Sequence, residues 1–171
     1  MIGQLAESRD TYAAAFERAQ HAAAQPGFVA ALRQRAFARF TDLGFPTTKD
    51  EAWRFTSVAP IAETRFTPAE PAAVPAAALT PYELPVDSGQ RLALVFVNGL
   101  YSPRLSSLAA APAGLEVGSL AAALAGAPSA IEPHLAQTAA FEDRAFTALN
   151  TALLADGAVV RIPANTAVEP P

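Results

Sequence analysis

The chain has no cysteine among its 171 residues. Disulfides are therefore excluded, and so is any thiolate ligand for a metal supplied by these residues. Histidine is nearly absent as well: His21 and His134 are the only two, and neither has a second histidine or a carboxylate at metal-ligand spacing. His21 falls off the apolar stripe of its helix and reads as exposed; His134 follows Pro133 in a loop-like setting. Charge is sparse, at 16% of residues, and its balance is −4. That balance argues against non-specific binding to nucleic acid or anionic membrane, both of which need a basic surface. No apolar run is long enough to cross a bilayer, because "LALVFVNGLY" is broken by Asn98 and Gly99. The first residues lack a basic-then-apolar leader, so a cytoplasmic protein is expected. The glycines form neither a G-x-G-x-x-G nor a G-x-x-x-x-G-K-[ST] phosphate loop. Ser57, Ser88, Ser106 and Ser107 lack a nucleophile elbow.

What the chain does have is apolar residues, 51% of the total, enough for a real core. Leu5, Tyr12, Phe16, Ala19 and Ala23 recur at helical spacing, which predicts a helix over about residues 5–24. Pro26 and Gly27 break it. Phe28, Leu32, Ala36, Phe40 and Leu43 then predict a second helix, with Arg33, Arg35 and Arg39 mostly outside the stripe and Gly44 at its end. Together they read as a helical hairpin. Residues 67–85 hold five prolines among alanines and read as an extended linker or an ordered strap. "RLALVFV" followed by Asn98-Gly99 is a strong hairpin signal, with "LYSPRLS" returning as an edge strand. "LEV" adds a short strand, and Ser119 is a plausible N-cap for a helix ending at Gly126. A broad apolar helix is expected over about 141–154, and a turn at Asp156-Gly157 leads into a strand from Ala158 to Ile162. The expected class is α+β. Its segments are a helical region over 1–66, a proline-rich connector over 67–90, a hairpin with helices over 91–155, and the beginning of a new sheet over 156–171. Strand edges left unpaired template aggregation, so the chain reads as a piece of a longer protein.

The stretch "GFPTTKDEAWRFTSVAPI" (residues 44–61) gathers Lys49, Asp50, Glu51 and Arg54 around the single tryptophan, Trp53. Pro46 holds Phe45 extended, and Thr48 with Glu51 matches a capping box for a short helix. Trp53 is expected to pack on the helical hairpin, and Trp53→Ala to cost ~3–5 kcal/mol if the ring is buried. Ser57 begins another turn that contains Pro60. The acid pairs Asp50-Glu51 and Glu142-Asp143 lie at expected helix starts, where capping and dipole compensation account for them. General acid–base work would need one carboxyl of a pair in an apolar pocket with a raised pKa. Trp53, Arg54 and Lys49 as a nucleic-acid patch is weakened by the adjacent acids. Asn150-Thr151 is a polar interruption of an apolar helix, expected to bond to neighbouring backbone. No catalytic, cofactor-binding or metal-ligating residue is expected in this chain.

In order along the chain, "FPTTKDEAWRFTSVAPI", "LVFVNGLYSPRLS" and "FTALNTALLADGAVVRIPANTAVEPP" resemble the motifs of the SufB/SufD family of iron–sulfur cluster assembly proteins. The first, with its Lys-Asp-Glu-x-Trp, is closer to the SufD side. The three motifs span roughly Phe28 to the end. The resemblance implies an N-terminal helical region, a central right-handed parallel β-helix, and a non-catalytic scaffold role without a cofactor in this piece. It also implies SufB and the ATPase SufC as partners. Under it, residues 156–171 would begin the β-helix and the helix over 141–154 would cap it, since a coil cannot bury its first rung alone. The histidine that the family places at its subunit interface has no counterpart in His21 or His134. Two rivals stand beside this reading. One is a generic helical protein–protein interaction module; the other is a small hydrolase or transferase using Asp50-Glu51.

Overall fold

Local backbone chemistry sets the clearest boundaries of the fold. The computed structural model describes residues 12–20, 25–82, 92–108 and 111–168. Residues 12–20 are helical (α1) and Gly27–Leu43 forms α2; Leu5, His21 and Ala23 lie outside the described residues. Pro26 precedes α2, and Gly44 stops it at φ 65°, with its N–H donating to the carbonyl of Phe40 at 2.8 Å. A side chain at that φ would be strained, so glycine suits the position.

The chain divides into two compact units. The first comprises Met1–Pro68 and Ala127–Leu154. It holds α1, α2, a 3-10 turn at Glu51–Trp53, α3 (Ala59–Glu63) and two later helices that will be α5 and α6. Its core joins Tyr12, Leu32, Ala36, Phe40, Phe141, Ala148 and Ala152. Ala36, Ala148 and Ala152 are wholly buried, and these small residues let α2 and α6 (Ala145–Ala152) pack closely. Phe16 stacks on Phe37 at 4.2 Å, joining α1 to α2 as a hairpin should. α5 (Pro128–Ile131) is a single turn that begins at Pro128. Pro60 stands in the first turn of α3, and the Ser57 hydroxyl accepts from the Ala59 N–H at 3.4 Å, as expected.

The second unit comprises Ala69–Gly126 and Ala155–Pro171. β1 (Phe96–Val97) and β2 (Leu100–Tyr101) pair antiparallel through Asn98 and Gly99. Both turn residues have positive φ, 54° and 79°, which is the tight hairpin geometry that Asn-Gly favours. The described part of the proline-rich segment is tied to the hairpin: the Asn98 amide donates to the carbonyl of Glu70 at 2.8 Å, and the Arg104 guanidinium donates to that of Val74. A 3-10 helix, Ala76–Tyr82, continues it. β3 (Glu116–Ser119) leads into α4 (Leu120–Gly126). The Ser119 hydroxyl accepts from the Ala122 N–H at 3.2 Å, so the expected N-cap forms.

Three expectations change. The strand opening at Ala158 is β4 (Ala158–Arg161), and it pairs antiparallel with β3, Glu116 opposite Arg161 and Ser119 opposite Ala158. Among the described residues there are two antiparallel two-stranded sheets and no parallel coil. The helix expected over 141–154 is shorter, and it packs against α2. The stripe of α2 is rotated from the expected one. Val29, Leu32, Arg33, Ala36 and Phe40 are buried, whereas Phe28 and Leu43 are half-buried.

Candidate functional site

The segment from Gly44 to Trp53 is shaped by one carboxylate. Asp50 turns back and accepts from the Thr47 N–H at 2.6 Å and the Thr47 hydroxyl at 3.1 Å. The Thr47 hydroxyl in turn accepts from the Lys49 N–H at 3.2 Å. The expected Thr48–Glu51 capping box does not form. The helical piece is only three residues of 3-10 turn, its N-cap is Asp50, and Glu51 points outward toward Arg54 at 3.9 Å. The bonds from the Thr47 backbone and side chain hold the Asp50 carboxyl below its ordinary range, so it stays charged. That is the reverse of what a general acid needs.

Trp53 is half-buried, and its ring meets Phe146 of α6 at 5.3 Å. Phe146 touches Phe45 at 5.7 Å, and Phe45 touches Phe40 at 5.3 Å and Tyr12 at 5.6 Å. The tryptophan therefore reaches the core through a relay of rings. Between this segment and the first turn of α6 lies a groove of about 660 Å³. Leu43–Pro46 and Asp50–Trp53 form one wall, and Asp143–Thr147 the other. Arg54 turns away to lie over Phe55, 5.4 Å from its ring, so Trp53 and Arg54 do not form a shared aromatic–basic patch.

The remaining sequence candidates are dispersed. His134, Ser57, Glu142 and Asp143 are exposed; Ser88 lies outside the described residues. The Ser106 hydroxyl donates to the Ser102 carbonyl at 2.8 Å and accepts from the Val95 N–H at 2.9 Å, bracing the β1–β2 hairpin. Ser107 bridges to Ala93 through backbone bonds. Asn150 is exposed and Thr151 buried, and neither side chain bonds to neighbouring backbone among the described residues. No group of three or more acidic or histidine side chains among the described residues is placed to hold a metal. No helix there is long and apolar enough to cross a membrane.

Two residues that sequence reasoning passed over organise the units. Arg33 is 2% exposed. Its Nε donates to the carbonyl of Ala152, the last residue of α6, at 2.9 Å. Its Nη1 donates to the Gln25 side chain at 2.7 Å and the Ala19 carbonyl at 3.3 Å, while Nη2 has no hydrogen-bond partner among the described residues. Burial lowers its pKa from the ordinary arginine value. The signal was in the spacing, since Val29, Arg33, Ala36 and Phe40 fall along one ridge. Asp156 does the same work in the second unit. One carboxylate oxygen accepts from Ser119 Oγ, Ala121 N–H and Gly157 N–H at 2.8, 3.0 and 2.8 Å; the other accepts from the Tyr101 N–H at 3.0 Å. Only the Asp-Gly turn was legible there.

Residues 6–171 match the family of the SufBD protein N-terminal region. An iron–sulfur cluster assembly SufBD family protein of Synechocystis sp. is 32% identical over 139 residues, which is 81% of this chain and 30% of that relative. The chain thus covers less than a third of the length of the curated relative it matches. No solved structure matches it. With nearly its whole length matched, from the helical hairpin through the Trp53 joint to the last strand, the chain belongs to the SufBD family, in that family's N-terminal region.

Proposed function

We propose that this chain is the N-terminal region of a SufD-like scaffold subunit that works in iron–sulfur cluster assembly with SufB and the ATPase SufC. The carrying observation is the family match over residues 6–171. The "TKDEAWRF" stretch supports the SufD side of the family. In this reading the chain performs no chemistry and acts in the cytoplasm. Its parts fit a supporting role: an α2–α6 core, a half-buried tryptophan relay, and polar side chains spent on bracing backbone. A right-handed parallel β-helix downstream belongs to the reading, with the antiparallel β3–β4 ribbon ahead of it. Co-expression of the tagged full-length protein with SufB and SufC tests it. Both are expected to co-purify in stoichiometric amounts; a tagged protein recovered without either one would overturn the proposal.

A further inference from the structure

We infer that the groove beside Trp53 is a docking site for a partner protein's exposed segment in which arginine or lysine flanks a large apolar side chain. The inference rests on the scaffold reading, because it supplies such a subunit with a place to hold a second protein.

Three rings in mutual contact, Phe45, Trp53 and Phe146, are among the residues that line the groove. Tryptophan left half-open beside other rings offers apolar contact area at small conformational cost, and such side chains anchor interfaces. The lining also includes three carboxylates, Asp50, Glu51 and Asp143, and one guanidinium, Arg144, with Arg54 beside Glu51. The lining is therefore negative, and it complements a cationic segment. The resident cations hold these acids loosely: Arg54 to Glu51 and Arg144 to Asp143 are each 3.9 Å apart and exposed. Exposed pairs of this kind contribute little, so a partner's cation exchanges for them at small cost. Asp50 is different, since its bonds from Thr47 fix both its charge and its position. The groove's volume, about 660 Å³, lies within the range of ligand clefts.

Trp53 is the only tryptophan in the chain, so its fluorescence reports on this groove. The test titrates the protein with acetyl-Arg-Leu-Phe-Arg-amide and, separately, with acetyl-Glu-Leu-Phe-Glu-amide. The basic peptide is expected to give a saturable change in Trp53 emission, and the acidic one little or none. Raising salt from about 0.05 to about 0.3 M should weaken the basic peptide's binding, because exposed charges are screened. Glu51→Gln and Asp143→Asn should each weaken it ~2–5-fold. Equal binding of both peptides, salt-independent binding, or no saturable change overturns the inference. The peptide and salt arms use the unaltered protein, so a variant that folds poorly leaves the result readable. SufB and SufC play no part in the titration, so its failure is distinct from failure to co-purify with them.

Discussion

At the scale of single residues, the structure is held by two ionised side chains spent on backbone. Arg33 satisfies the carbonyls of Ala152 and Ala19, the first of which would otherwise be an orphan at a helix end. Its positive charge also suits the negative end of the α6 dipole. Arg33→Met removes three bonds and leaves buried acceptors unpaired, so it should cost about 1–3 kcal/mol in urea unfolding. Arg33→Lys should recover part of the loss, since an ammonium cannot span the same fork. Asp156 makes a pH prediction. Burial pushes its carboxyl up, but the four donors from Ala121, Tyr101, Ser119 and Gly157 outweigh it and leave the pKa below the ordinary value. A depressed folded pKa stabilises above the unfolded value of ~3.9 and is lost as pH falls through the folded one. Acid titration followed by circular dichroism should show the second unit weakening only below about pH 4. Asp156→Asn should remove most of that dependence and lower stability at neutral pH by about 1–2 kcal/mol.

At the scale of elements, close packing of α2 on α6 is the dominant contact, and alanines make it possible. Ala36→Leu should cost about 1–3 kcal/mol, because Ala148 and Ala152 leave no room on the facing helix. Trp53→Ala should cost about 1–2 kcal/mol, below the value for a fully buried ring, because the indole is only partly withdrawn from water. Trp53→Phe should restore most of it, and urea denaturation read by circular dichroism checks both. Elements specified by neighbouring residues were legible in the sequence: the Asn98-Gly99 hairpin, the Ser119 cap, the Gly44 stop and the Pro60 turn. Each depends on φ preferences or on a hydroxyl a few residues away. Elements specified by distant partners were not. The pairing of β4 with β3, the seating of α6 on α2 and the burial of Arg33 all depend on chain far off in sequence. Thr48–Glu51 misled for a related reason. The capping pattern presupposes a helix long enough to need a cap, and Asp50 closed the turn first. The groove was half legible: its acids and tryptophan stand together in the sequence, whereas its opposite wall comes from α6.

At the scale of the whole molecule, Trp53 lies in the first unit and Asp156 in the second. Asp156→Asn should therefore shift the circular-dichroism or calorimetric transition while leaving the tryptophan fluorescence transition within about 0.5 kcal/mol of its original place. Coincident shifts of equal size would mean the two units melt as one. The first unit is also discontinuous, since α2 ends at Leu43 and its packing partner begins only at Ala145. During translation at ~5–20 residues per second, the ribosome needs on the order of 5–20 s to make that intervening stretch. For that interval the newborn α2 shows its apolar ridge to water, with Arg33 still hydrated. Transiently uncovered apolar surface of this kind is what makes a folding chain prone to aggregate until its packing partner emerges.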